Sequence, residues 1–177
     1  MKITSEQIDK IMAYIEQHPA LSPENTATFD VDIAQFQESF NAAITPYIEK
    51  AQLDGELRET MEKLFLIDEY QTFDVHDGKF FFNIFGDSVG IFGVTNHEDQ
   101  FKILLCIYNT PEDKNNLTLS SLVLASFTEV LLHDEIDVEK FLRDLSASGM
   151  KTQGGVKFSI AADGKLIFVT ATEEATI

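Results

Sequence analysis

The sequence predicts an α+β fold, and three observations carry that prediction. Apolar residues recur at helical spacing as far as residue 67, and the period becomes 2 from Tyr70 onward. The alternating runs after Tyr70 are separated by short Gly-bearing turns, the pattern of hairpins. Seven of the 15 phenylalanines lie between Phe73 and Phe101, which puts the core in that stretch. The expected order is N-terminal helices, an antiparallel β-meander of about four strands, two helices, and a C-terminal β-hairpin joining the sheet. That gives five to six strands in all. Residues 1–67 are a helical N-terminal segment packing on the sheet, and residues 70–172 are the α+β domain.

Thr4 and Gln7 have capping-box spacing and open a first helix whose apolar face is Ile8, Ile11, Met12 and Ile15. His18-Pro19 ends it, with His18 placed to complement the negative end of the helix dipole. Leu21 to Thr28 reads as loop. Asp30 or Asp32 caps a second helix through Ile33, Phe36, Phe40, Ala43, Ile44 and Tyr47. Pro46 gives either a kink or a fresh start capped by Thr45. After the soft break at Asp54-Gly55-Glu56, Leu57, Met61, Leu64 and Phe65 mark a last helical face.

In the first strand Phe73 and Val75 alternate with polar neighbours, and Asp77-Gly78 is a hairpin turn signal. Phe80, Phe82 and Ile84 oppose Phe81, Asn83 and Phe85, so both faces of the next strand are largely apolar. After Gly86-Asp87-Ser88, Val89, Ile91 and Gly93 oppose Gly90, Phe92 and Val94. After Asn96 to Asp99, the fourth strand sets Phe101, Ile103, Leu105 and Ile107 against Leu104, Cys106 and Tyr108. Asn116 or Thr118 caps a helix bearing Leu119, Leu122, Val123, Phe127, Val130 and Leu131. Asp137 caps a shorter one with Val138, Phe141, Leu142 and Leu145, ended by Gly149. Gly154-Gly155 reads as a flexible link, and Asp163-Gly164-Lys165 joins the last two strands. Residues from Glu173 on read as a frayed tail.

Charge narrows the function classes. The net charge is −17, from 30 Asp and Glu against 13 Lys and Arg. No cluster of Lys and Arg exists to neutralise nucleic-acid phosphates, and an anionic membrane surface is disfavoured for the same reason. The acids spread along the chain rather than forming a tail; such a surface has two readings, one that keeps the protein soluble and one that steers a basic partner. No run approaches the ~20 apolar residues of a spanning helix, and the start, Met1 to Gln7, has no apolar segment of a secretory leader. A cytoplasmic protein is expected.

Catalytic constellations are not seen. Cys106, the one cysteine, stands mid-strand among Leu and Ile as a buried hydrophobe. His18, His76, His97 and His133 show no ligand spacing, although His76 and His97 lie in turns that can approach each other. There is no nucleophile elbow and no phosphate-cradling loop. No catalytic, cofactor or metal residue is assigned, and the expectation is a non-enzyme. The densest acidic patch, Asp134, Glu135, Asp137 and Glu139, is a candidate for binding a partner. So are Phe81, Phe85 and Phe92, which stand opposite a face already apolar.

From Phe141-Leu142-Arg143-Asp144-Leu145 the chain passes a Gly-bearing linker into Val156 to Ala162, Asp163-Gly164-Lys165 and Leu166-Ile167-Phe168. With the hairpins before it, this order over residues 70–170 resembles the small acidic chaperones of type III secretion effectors and the related sensory-regulator-like domains. The resemblance implies a homodimer that holds an extended segment of an effector protein, with no catalytic residue. The functional expectation is an acidic chaperone or adaptor, binding a protein with a basic surface. An immunity-type inhibitor of a basic toxin is one alternative, and a small-molecule-binding domain or enzyme with a Phe-lined pocket is another.

Overall fold

In the computed structural model, seven antiparallel strands form one sheet in the order β1-β2-β3-β4-β7-β6-β5. The structure describes residues 4–22, 24–25, 27–50, 55–75, 77–86, 88–110, 114–132 and 137–173. The strands are β1 Gln71–Val75, β2 Gly78–Phe85, β3 Val89–Thr95, β4 Phe101–Asn109, β5 Met150–Gln153, β6 Val156–Asp163 and β7 Leu166–Glu173. The helices are α1 Ser5–Glu16, α2 Ile33–Lys50, α3 Gly55–Phe65, α4 Lys114–Leu132 and α5 Val138–Ser148. The α+β class expected from the periodicity holds.

The helix ends follow their local chemistry. Thr4 and Gln7 make the reciprocal capping box at α1, with both backbone–side-chain bonds in place. Asp32 and Gln35 make a second such pair at the start of α2, at 2.8 and 2.9 Å. Asp137 accepts from the Lys140 N–H to open α5, and Gly149 closes it at φ +79°. Pro46 stands inside a continuous α2, so no fresh start occurs, and the Thr45 hydroxyl turns back to the Asn41 carbonyl. The fourth helix starts at Lys114, earlier than the expected caps Asn116 and Thr118.

Two features of the sheet differ from expectation. A seventh strand, β5, follows α5, and Gly154-Gly155 is its tight turn into β6 rather than a flexible link. Gln153 pairs with Val156, and both glycines hold positive φ, +60° and +80°, the geometry of a two-residue hairpin. The sequence concealed β5 because its residues are exposed or half-buried and carry no apolar alternation. The last strand also reaches Glu173, which the sequence had placed in a frayed tail.

The second difference is a β-bulge. Val94 pairs with Ile103, but Thr95 pairs with Phe101, so β4 holds one extra residue, Lys102. Phe101 therefore lies on the opposite face from Ile103, not beside it. Its ring packs edge-on against Phe36 and Phe81, centroids 5.6 and 5.5 Å apart. Gly93 makes room for this ring, since a Cβ there would come within 2.8 Å of it and 2.9 Å of the Ile103 carbonyl oxygen.

The two faces carry two separate cores. One is built from Phe81, Phe85, Ile91, Leu104, Cys106, Phe158 and Val169 of the sheet. Over it lie Phe36, Phe40 and Ile44 of α2, Phe65 of α3, Val123 and Phe127 of α4, and Phe141 and Leu145 of α5. Tyr47 of α2 donates to Glu129 of α4 at 2.9 Å, and burial with this bond pushes its hydroxyl up to about 12. The other core joins Phe80, Phe92, Val94, Ile103, Leu105, Ile107, Leu166 and Phe168 to Ile11 and Ile15 of α1.

The chain passes from one face to the other through residues 17–32, around the end of β4. There the Phe29 N–H bonds to the Phe101 carbonyl at 2.8 Å, and the Phe101 N–H to the Val31 carbonyl at 3.3 Å. At the α1 C-terminus, His18 is half-buried and its Nδ1 accepts from the Ala20 N–H. Burial, then the charge of Lys157, lowers its pKa. His18 thus serves as a neutral acceptor capping a short 3₁₀ turn, Pro19–Leu21, and not as a cation on the helix dipole.

Candidate functional site

The sheet has two edges, and they are finished differently. At one edge, β5 is four residues long, with Lys151 in its middle. Lys151 pairs with Asp144 at 3.0 Å and sits 5.0 Å over the Phe141 ring, and the Ser148 hydroxyl takes up the Met150 carbonyl at 2.7 Å. A short strand with a central lysine resists pairing with another chain. At the other edge, β1 pairs with β2 alone and has neither Lys nor Pro. Gln71, Thr72, Phe73 and Asp74 are exposed. Phe73 is 38% exposed, and its ring rests against Phe80 at 4.9 Å and Phe82 at 6.5 Å.

Beside β1, on the α2 side, a cleft of about 210 Å³ is lined by Tyr70 and Thr72 together with Asp32, Glu98, Asp99 and Lys79. Three carboxylates face one ammonium there, and Asp99 holds that ammonium at 3.1 Å. The negative excess gives the open edge its electrostatic sign.

A larger cavity, about 660 Å³, opens between the end of α1 and the sheet. Met12, Ile15 and Leu21 roof it, Val75, Phe80 and Val94 floor it, and Asn96, His97 and Lys102 stand at its rim. That volume lies within the usual range for small-molecule sites. His97 pairs with Asp77 at 3.6 Å, both well exposed.

The residues singled out from sequence are not brought together. Phe81 and Phe85 are buried beneath α2, where their rings contact Phe36 and Phe40. Phe92 pairs across the ladder with Phe82 and Leu105, is fully buried, and lies on the opposite face. These three side chains meet the chain's own residues and offer no surface to a partner. Asp137 is the cap of α5, and Glu139 pairs with Arg143 one turn on at 3.6 Å. Asp134 and Glu135 lie outside the described residues, as do His76 and His133.

Cys106 is fully buried and its thiol is pushed strongly up by desolvation, which opposes thiolate chemistry. Neighbouring Tyr108 is pushed up to about 12, by burial and then by Cys106. No group of three His, Cys, Asp or Glu able to hold a metal occurs among the described residues. No described helix is long and apolar enough to cross a membrane.

Phe73 on the β1 edge and Lys102 at the cavity are not among the residues that the sequence singles out. Each had a signal. Phe73 is the one large apolar residue in a strand otherwise polar up to Val75, and Lys102 is the one charge in the apolar run Phe101 to Tyr108. Comparison of the chain with protein-family models, curated proteins and solved structures returned no match.

Proposed function

We propose that this protein is a non-catalytic protein-binding module, an acidic chaperone or adaptor that holds an extended segment of a partner with a basic surface. The observation that carries the reading is the β1 edge. It is unpaired on its outer side among the described residues and unguarded by Lys or Pro, it exposes Phe73, and it borders a carboxylate-rich cleft. An added strand alternates its side chains between the two faces. Alternate positions would continue the apolar surface of Phe73 on one face and meet Asp32, Glu98 and Asp99 on the other. The −17 charge speeds the encounter with such a segment. An immunity-type inhibitor of a basic toxin makes the same demands of the surface, and a second copy of this chain is the competing occupant of the edge.

Affinity capture from the host with the wild type and with Phe73→Lys tests the reading. The substitution gives β1 the guard that β5 already has. A captured protein that is lost with Phe73→Lys, and whose association slows as salt rises, supports it. Failure to capture any protein at any salt concentration, or capture unaffected by Phe73→Lys, defeats it. Light scattering separates self-association from a foreign partner.

A further inference from the structure

The cavity under α1 is lined by a lysine, Lys102, that has no counter-ion among the described residues. Three lysines among the described residues are half-buried: Lys79, Lys102 and Lys151. Lys79 is held by Asp99 at 3.1 Å and Lys151 by Asp144 at 3.0 Å. Lys102 has no carboxylate within 4 Å among the described residues, in a chain with 30 Asp and Glu. Lys102 lines a mostly apolar cavity, and a carboxylate brought there would complete a charge-assisted contact that the fold does not supply from the described residues.

The backbone is adjusted to put it there. In a regular β4, Lys102 would alternate with Ile103 and enter the core beneath α2. The bulge sends Phe101 into that core instead and leaves Lys102 at the cavity. Bulges that re-aim one side chain recur beside binding sites.

We propose that this cavity is a binding site for a small monocarboxylate with an apolar body. The carboxylate pairs with Lys102 at the rim, and the body lies between Ile15 and Met12 above and Phe80 and Val94 below. The site is separate from the β1 edge, and the proposal does not depend on the protein-binding reading. Glu16 and Asp77 also stand at the mouth, both exposed, and the chain as a whole repels anions. The charge of the ligand head group therefore decides the question, because the net field favours a cation and Lys102 favours an anion.

Calorimetry with decanoate, decanol and decylamine, each below its solubility or micelle-forming limit, sets these against each other. The three share one apolar chain and differ in the head. Decanoate is expected to bind about tenfold more tightly than decanol, the worth of one charge-assisted contact at a partly exposed site, and decylamine most weakly. Lys102→Met, which keeps the stem of the side chain, should bring decanoate down to the level of decanol and leave decanol unchanged. Amide NMR shifts confined to Val94, Thr95, His97 and the α1 C-terminus would place the ligand. The proposal is overturned if decylamine binds as tightly as decanoate, if Lys102→Met keeps the preference for decanoate, if the shifts map elsewhere, or if none of the three binds.

Discussion

The two faces of the sheet share strands β2, β3, β4 and β7 and are both apolar along them, yet they are covered very differently. Four helices close one face and fill it with interlocked rings, Phe36 against Phe81 and Phe101, and Phe40 against Phe85. One helix, α1, covers the other, and next to its C-terminal turn the cover stops at a cavity of about 660 Å³. Tight packing on the first face supplies stability and leaves no apolar cavity beneath the helices, only the polar cleft beside β1. Incomplete packing on the second gives up some dispersion contact and leaves space for a ligand. An apolar strand face is thus no sign of a partner until the chain's own helices have been accounted for.

That contrast can be broken by unequal truncations. Phe36→Ala removes a fully buried ring from the closed face and should cost ~3–5 kcal/mol. Ile15→Ala under α1 should cost ~2–3 kcal/mol, at the low end for such a truncation, because its site adjoins open space that water can enter. Urea unfolding of both variants checks the order, and an equal or reversed cost would remove the distinction between the faces.

A smaller effect comes from pH and acts through His18 on the α1 side. His18 has a lowered pKa in the folded protein, so the unfolded chain binds its proton more readily. Its contribution is complete above the unfolded value, about 6.5, and is lost as pH falls toward the folded value. His18→Asn keeps an acceptor for the Ala20 N–H but does not titrate in this range. Thermal midpoints measured at about pH 7.5 and about pH 5.5 should therefore fall further for the wild type than for the variant. Parallel curves would show that His18 carries no such linkage.

Sequence period made most of this architecture legible, wherever one side of an element is buried. Ile11 and Ile15 of α1, Asp137 and Gly149 around α5, and the alternation along β2 and β3 all appear where their residue types place them. Exposed strands give no such period, which is why Met150–Gln153 was hidden. Register was harder still. The sequence alone groups Phe92 with Phe81 and Phe85, but the turn between β2 and β3 aligns it with Phe82 and carries it to the other face. A single extra residue, Lys102, likewise reversed Phe101. Both outcomes depend on pairing between strands, which no single strand's sequence records.

The attachment of α1 has a consequence for the order of assembly. Gln7 reaches Asn109 across 102 residues of sequence, and Tyr14 lies 3.4 Å from Thr170 across 156. The meander of β1 to β4 closes only short loops between neighbouring strands. Loop-closure entropy therefore favours the meander early and makes the docking of α1 wait for β7. By the same token α1 is the element that can leave while the rest stays folded, a local opening that native-state hydrogen exchange would resolve as a less protected unit.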